Sequence, residues 1–269
     1  MNLNDIRNSY ISENYNFLDA TSKTCQDVIL SKISKSSLSK NITIKGGVII
    51  QHFSNDKRRA TRDFDLDFIK YSLSDDTIKM FLAALNKVND GVVISIVEPI
   101  EELNHQEYQG KRVVIKLVDI QNNIMETKLD IGVHHSIDIK QEEYCFGLDY
   151  IGENVTLLIN SKEQIFAEKL RSLLKLGIFS TRYKDIFDFY YLINIAGLDK
   201  DKLMLCFTRL IFSDENMKER TIDDIYKRLC DIFRSKSYLE KASTARNNWL
   251  ELPIADVTER ILSFFKLDI

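Results

Sequence analysis

The chain has 269 residues, of which 44% are apolar and 29% are charged. This apolar fraction is sufficient for a hydrophobic core, so the composition excludes a wholly disordered protein. The 37 lysine and arginine residues are nearly balanced by 40 aspartate and glutamate residues, which leaves a formal net charge of −3. A uniformly basic nucleic-acid-binding surface is therefore excluded, whereas local basic patches remain compatible with the composition.

No segment of the sequence is typical of secretion or of membrane insertion. No apolar run reaches the length of a membrane span, and the first ten residues lack the apolar core of a signal peptide. The four cysteines have no paired spacing and no histidines at zinc-finger spacing, which predicts reduced and mostly buried thiols. We therefore expect a cytoplasmic protein that does not enter a membrane.

The hydrophobic periodicity divides the chain into three parts. Residues 1–40 repeat apolar side chains at helical spacing and predict an N-terminal helical segment packed on the first lobe. Residues 41–160 change to short β-rich runs and predict an α/β lobe, whereas residues 161–269 predict an α-helical lobe. Clefts between such lobes often bind ligands, so we expect the functional site in the cleft between them.

Short alternating or β-branched runs predict the strands of the first lobe. These runs cover residues 42–44, 64–69, 92–97, 112–118 and 127–133. The last two flank a polar turn and predict a hairpin. One helix is expected among these strands, over residues 74–88.

Two helices are predicted at the start of the second lobe. Ser161 and Gln164 form the pattern of a capping box, which predicts a helix that continues to Leu176. A second helix is expected over residues 183–195 and ends near Gly197.

A strand with three aspartates is the most informative segment. Alternate side chains of a strand share one face, so Asp63, Asp65 and Asp67 are expected together, about 6.5–7 Å apart along the strand. Carboxylates at that separation repel one another unless a cation neutralises them. Because Mg²⁺ prefers carboxylate oxygens and substrate phosphates, the triplet indicates a magnesium site. A half-buried strand with a solvated acidic face is the alternative interpretation.

The residues around this strand are compatible with phosphate binding. Gly46 and Gly47 would let the backbone approach a triphosphate, although a glycine pair is more often only a turn. Four cations occupy the loop before the strand: Lys57, Arg58, Arg59 and Arg62. They either balance the charge of a solvated loop or contact the phosphates of a nucleotide or of an RNA acceptor.

Further candidate residues lie on a later strand and on the two helices of the second lobe. Asp130 is either an isolated polar residue or a third carboxylate, which would serve as a second-metal ligand or general base. Lys169 lies at the edge of an apolar helical stripe, where it either pairs with an acid or presents its ammonium to a cleft. Asp188 is spaced i, i+3 from Asp185 and i, i+4 from Lys184, as in an ordinary surface helix.

Taken in order, these motifs resemble those of AbiEii/AbiGii-type nucleotidyltransferase toxins of bacterial toxin–antitoxin and phage abortive-infection systems. Those toxins are similar to the DNA-polymerase-β-like nucleotidyltransferases. The resemblance covers residues of about 45 to 195 and depends on the motifs KGG, RATRDFDLDF, LDIGVHH and IFAEKLRSLLKLGIFSTRYKDIFDFYYL. It implies a mixed-sheet nucleotidyltransferase lobe followed by an α-helical lobe.

The resemblance also implies roles for individual residues. The metal ligands would be Asp63, Asp65 and Asp130. These three would act in catalysis together with Lys169 and Asp185. The nucleotide would be bound by Gly46, Gly47, Lys169, Lys184 and Asp188. Asp67 matches no functional position.

The implied activity is Mg²⁺-dependent transfer of nucleotides from an NTP to an RNA acceptor, foremost the 3′ end of tRNA. Such a reaction would block translation, and a separately encoded antitoxin would counteract it. One alternative is nucleotidyl transfer to a small molecule or a protein. Another is a catalytically silent module that binds NTP or RNA, although retention of all three acids and Lys169 argues against it.

Overall fold

The computed structural model describes residues 1–103, 110–135 and 138–269. Two compact units make up the chain, Met1–Asn160 and Ser161–Ile269. The N-terminal helices belong to the first unit. Among the described residues, no helix has both the length and the apolar character needed to cross a membrane.

The first unit contains one mixed sheet of eight strands and four α-helices among its described residues. The strands are β1 (Ile42–Lys45), β2 (Phe64–Ile69), β3 (Val92–Ile96), β4 (Glu101–Glu102), β5 (Lys111–Asp119), β6 (Ile124–His134), β7 (Glu142–Leu148) and β8 (Glu153–Ile159). The helices are α1 (Leu3–Ser12), α2 (Phe17–Lys35), α3 (Gly47–Ser54) and α4 (Asp75–Asn86). The strand order is β3-β5-β6-β2-β1-β8-β7, and β4 pairs with β5. The predicted mixed sheet is thus confirmed, with parallel pairs β2–β6 and β1–β8 among otherwise antiparallel ones.

Helix α3 is an element that the sequence analysis did not predict. Its residues Val48, Ile49 and Ile50 are β-branched, which favours a strand. All three are fully buried in the helix. Burial of this apolar run outweighs the weak intrinsic preference of its residues, because tertiary packing routinely overrides local propensity.

The extra acid of the acidic strand has a structural partner. Asp67 is buried, and its Oδ1 lies 2.6 Å from the Nζ of Lys45 on β1. In the parallel register of β2 and β6, Asp67 lies opposite Gly132. A Cβ on Gly132 would lie 2.3 Å from Asp67 Oδ1 and 3.3 Å from Lys45 Nζ. The glycine therefore provides the space that this buried ion pair occupies.

We expect Gly132→Ala to lower the free energy of unfolding by about 1–3 kcal/mol, because the added methyl group would displace the buried ion pair. Urea denaturation followed by circular dichroism measures this loss. Gly147→Ala is the matched control on β7, since its Cβ would meet only Asp149 Oδ1 at 3.6 Å and Asn154 Oδ1 at 3.7 Å. Equal losses in the two variants would contradict the explanation.

A second buried polar cluster connects α1, α2 and α3. The hydroxyl of Tyr10 donates to Asp27, and Lys23 Nζ donates to Asp27 Oδ1 at 2.6 Å. Lys23 Nζ also lies 3.1 Å from Nε2 of His52. Burial and the neighbouring Lys23 charge together lower the pKa of His52 to about 3. The imidazole of His52 is therefore neutral in the folded protein over most of the pH range.

His52 should make the folded protein less stable in mild acid. The pKa of His52 is about 3 in the folded protein and near the ordinary histidine value of 6.5 in the unfolded chain. Between these two pH values the unfolded chain binds a proton at His52 that the folded protein does not bind. The free energy of unfolding then falls as the pH is lowered, with a slope of up to about 1.4 kcal/mol per pH unit from this group. Denaturation of the wild type and of His52→Gln from pH 7 to pH 4 isolates the contribution. A wild-type pH dependence that the variant reproduces in full would contradict it.

The second unit contains six α-helices among its described residues. They are α5 (Lys162–Leu176), α6 (Lys184–Tyr191), α7 (Lys200–Phe207), α8 (Ile222–Phe233), α9 (Lys236–Ala242) and α10 (Ile254–Ser263). The two predicted helices correspond to α5 and to α6, which continues as a π-helical turn (Leu192–Ala196) and ends at Gly197, with φ +69°.

The capping box predicted for α5 is only half formed. Ser161 Oγ accepts a hydrogen bond from the backbone N–H of Gln164 at 3.1 Å. The side chain of Gln164 instead donates to Glu168 at 2.8 Å. The prediction was wrong for this second hydrogen bond: among the described residues, Gln164 Oε1 has no hydrogen-bond donor, and the side chain is directed along the helix to Glu168.

All four cysteines are free thiols, but they are less uniformly buried than expected. Cys25 and Cys206 are buried, Cys230 is half-buried and Cys145 is exposed. Cys145 lies on β7, whose alternate side chains face away from the core.

Candidate active site

Two of the predicted acids are neighbours across the sheet. Asp65 on β2 and Asp130 on β6 are register partners in the parallel pair of strands, and neighbouring strands lie about 4.8 Å apart. Asp63 immediately precedes β2 and is exposed, whereas Asp65 is half-buried and Asp130 is buried. The structure thus brings Asp65 and Asp130 together, with Asp63 two residues before Asp65.

Asp67 does not line this site in the way the strand pattern suggested. Its carboxylate is committed to Lys45, as described above. Asp67 therefore has a structural role in the sheet, in agreement with the absence of a match to a functional position.

The glycine pair forms a strand–turn–helix junction against Asp65. Gly46 has φ +72° and is the N-cap residue of α3. A Cβ on Gly46 would lie 2.2 Å from Asp65 Oδ2, and a Cβ on Gly47 would lie 2.7 Å from Thr61 Oγ1. Both positions therefore require glycine for close approach, and the N-terminus of α3 begins beside the Asp65 carboxylate. Helix N-termini favour anions such as phosphates.

A cation that the sequence analysis did not single out contacts the site. Arg112 on β5 lies directly opposite Asp130 in the antiparallel register. Its Nε and Nη2 donate to the two carboxylate oxygens of Asp130 at 2.8 and 2.7 Å. Hydrogen bonding to Asp130 and the charge of Asp63 raise the pKa of Arg112 further above its ordinary value. Asp63 and Asp130 thus act electrostatically on the same guanidinium.

The donor chemistry of these acids fits a magnesium ion. Asp63 and Asp65 offer hard carboxylate oxygens, which are the ligand type that Mg²⁺ takes together with substrate phosphates. The carboxylate of Asp65 lies beside Gly46. In the part of the chain that the structure describes, no three His, Cys, Asp or Glu side chains are grouped as a ready metal site. The third carboxylate, Asp130, has both oxygens bonded to Arg112.

Three cations of the basic loop form ion pairs within the first unit. Lys57 Nζ lies 3.2 Å from Glu13, Arg58 Nη2 lies 2.8 Å from Asp56, and Arg62 Nε lies 2.7 Å from Asp19. These three side chains remain about half exposed. Arg59 differs, because it is only 4% exposed. The exposed surface of the loop is therefore supplied by Lys57, Arg58 and Arg62.

In the second unit, Lys169 lies between the two predicted aspartates of α6. Its Nζ is 2.5 Å from Asp185 Oδ1 and 3.0 Å from Asp188 Oδ2, and Lys169 is only 5% exposed. Arg182 Nε adds a contact to Asp185 Oδ2 at 2.7 Å. Burial tends to raise the pKa of Asp185, but the charges of Arg182 and Lys169 outweigh it and hold that pKa below its ordinary value.

Asp188 is held by a residue from the C-terminal part of the chain. It is fully buried, and the indole Nε1 of Trp249 donates to its Oδ1 at 3.1 Å. Trp249 also packs on the ring of Tyr191, with centroids 5.5 Å apart. Lys184, the first residue of α6, is half-buried. The fully buried Asp188 is better suited to fixing Lys169 than to contacting a nucleotide directly.

Comparison with known proteins adds an independent finding. The family profile described as "Nucleotidyl transferase AbiEii toxin, Type IV TA system" matches residues 28–252. The chain belongs to the AbiEii nucleotidyltransferase toxin family. The match includes every candidate residue described above and extends well beyond the segment on which the resemblance depended, so the recognition from sequence is confirmed.

Other comparisons are less informative. A search of curated proteins gives no significant match. Among solved structures, an antigenic nucleotidyltransferase-like protein from Paracoccidioides brasiliensis matches with 17% identity and a TM-score of 0.41, over 83% of this chain and 92% of that chain.

Arg112 and Trp249 are the residues that sequence reasoning missed. For Arg112 a signal was present, because pairing the predicted hairpin symmetrically about Gln121 already places residue 112 opposite residue 130. For Trp249 no local pattern exists, since it lies 61 residues from Asp188 along the chain.

We expect Trp249→Phe to lower the free energy of unfolding by about 2 kcal/mol or more, because a buried carboxylate loses a hydrogen-bond donor and the smaller ring leaves a void. Denaturation of Trp249→Phe, Asp188→Leu and the double variant separates these effects, because leucine has a similar size and no hydrogen-bond acceptor. The void is common to both backgrounds, so a coupling energy of about 1 kcal/mol or more would report the indole–carboxylate contact. Additive losses would contradict it.

Proposed function

We propose that this AbiEii-family toxin transfers nucleotides from an NTP to an RNA acceptor in a Mg²⁺-dependent reaction, with the 3′ end of tRNA as the acceptor. Family membership supports nucleotidyl transfer by a toxin of a toxin–antitoxin system, and so implies a separate antitoxin. The observation that carries the proposal is the register of Asp65 opposite Asp130, beside the glycine junction that begins α3. Blocked translation would be the outcome in the cytoplasm.

Asp63 and Asp65 would hold the metal, and the backbone at Gly46 and Gly47 would approach the phosphates. When bound, Mg²⁺ supplies charge neutralisation at the triphosphate. Asp130 would accept the proton of the acceptor hydroxyl while the oxygen of that hydroxyl forms a bond to the α-phosphorus. The bond from the α-phosphorus to the bridging oxygen then breaks, and pyrophosphate leaves.

Lys169 would bind the phosphates and stabilise the charge that develops on the leaving pyrophosphate. Its contacts with Asp185 and Asp188 fix the position of the ammonium before substrate arrives. This preorganisation supports the role, since a fixed cation does not have to be oriented during the reaction. Lys184 and Asp185 would complete the nucleotide side of the site.

The basic loop bears on the identity of the acceptor. The ion pairs of Lys57, Arg58 and Arg62 are half exposed, and exposed pairs contribute only about 0–1 kcal/mol each. Such cations can exchange their carboxylates for RNA phosphates at little cost. These ion pairs are also compatible with nucleotidyl transfer to a small molecule or a protein, because a loop whose charges are already balanced does not require a polyanionic acceptor.

The activity test combines purified protein with α-labelled NTPs, Mg²⁺ and total RNA. We expect label in RNA, and a loss of about a hundredfold or more in Asp65→Asn and in Lys169→Ala, since each removes a charge at the reacting phosphates. Asp76→Asn is the matched control, because Asp76 is an aspartate on α4 whose side chain is 90% exposed. Labelling that survives Asp65→Asn would contradict the assigned metal site.

The same assay distinguishes the acceptors. Reversing the charge of Lys57 and Arg62 together should strongly reduce labelling of RNA and weaken its salt dependence. Unchanged RNA labelling would indicate that the loop does not bind the acceptor. Label in protein or in a small molecule, with none in RNA, would favour the alternative acceptor. Toxicity that persists in an Asp63→Ala/Asp65→Ala variant would favour a silent binding module.

A further inference from the structure

Asp130 is buried although it lies on the less buried face of its hairpin. Along β5 the side chains alternate, and Arg112 belongs to the half-exposed set. On β6 the residues that precede Asp130 with the same orientation (Ile124, Glu126 and Lys128) are exposed, whereas Asp130 is 5% exposed and Gly132, the next residue on that face, is also buried. The guanidinium of Arg112 lies across its carboxylate with two hydrogen bonds. The side chain of Arg112 itself is 27% exposed.

This pair places a protein cation where the catalytic acids would need a metal ion. Two parallel N–H···O bonds between arginine and a carboxylate are among the stronger polar contacts in proteins. They use both carboxylate oxygens of Asp130, and the field of Asp63 also acts on the same guanidinium. Arg112 therefore neutralises Asp130, and its charge also attracts Asp63, in the absence of metal.

We propose that Arg112 is a built-in counter-ion that competes with the divalent cation for Asp130. While the guanidinium stays in place, Asp130 serves neither as a metal ligand nor as a proton acceptor. Release of Asp130 is then a separate step, which the partial exposure of Arg112 allows. This inference depends on the metal site of the proposed function and assigns a positioning residue to it.

The test is the binding of Mn²⁺ alone to the full chain, measured by calorimetry without nucleotide or RNA. Arg112→Gln should raise the affinity for Mn²⁺ by at least about tenfold, because it releases one carboxylate and removes a competing charge. Asp130→Asn in the wild-type background should change the affinity by less than about threefold, since Asp130 is already occupied. In the Arg112→Gln background, Asp130→Asn should abolish the whole gain.

A second variant on the same strand controls for net charge. Lys111 precedes Arg112 but pairs with Asp75 at 2.5 Å and Glu102 at 3.2 Å. Lys111→Gln removes the same charge without releasing Asp130, so it should leave the affinity for Mn²⁺ within about threefold of wild type. Circular dichroism confirms folding of each variant. If Arg112→Gln does not fold, Arg112→Lys keeps the charge, loses the two-pronged contact and should show a smaller gain in affinity.

Three results would overturn the inference while leaving the metal site intact. The first is an affinity for Mn²⁺ that Arg112→Gln does not change. The second is an equal gain in Lys111→Gln, which would reduce the effect to net charge. The third is a loss of affinity for Mn²⁺ on Asp130→Asn that is as large in the wild-type background as in the Arg112→Gln background. Failure of every variant, and of the wild type, to bind Mn²⁺ would instead overturn the metal site itself.

Discussion

The parallel pairing of β2 with β6 is the constraint on which the chemistry of the first unit depends. Its register sets Asp65 opposite Asp130 and Asp67 opposite Gly132. Buried apolar residues on both strands hold that register, because a slip of one residue would turn their side chains to the other face. One strand pairing thus produces both the pair of acids at the site and the space for a buried ion pair behind them.

Protein cations neutralise the acids of both units, but the resulting ion pairs differ in how easily they can open. Lys45 with Asp67 and Lys169 with Asp188 are almost fully buried, and separating such a pair strongly destabilises the fold. The contact of Arg112 with Asp130 is partly open to solvent on the arginine side. The buried pairs fix positions in the fold, whereas the partly exposed pair is the one for which we propose an exchange of partners.

The C-terminal helices acquire a role through a single contact. Residues after about 200 show no chemical motif, and the sequence analysis assigned them only to helical packing. The indole of Trp249 nevertheless holds Asp188, which in turn holds Lys169. Residues distant in sequence therefore determine where the ammonium of this toxin points.

The sequence alone was sufficient for the family, the mixed α/β and α-helical organisation, and the hairpin of β5 and β6. It also named Asp65, Asp130 and Lys169 as candidate residues, and their roles stay predictions. These features depend on local periodicity and on short motifs, which neighbouring residues encode. Only the tertiary structure decided that α3 is a helix, that Asp67 belongs to Lys45, and that Arg112 and Trp249 contact the candidate residues. Each of these results comes from burial or from contacts between residues distant in the chain, where the packing of one element against another outweighs local preference.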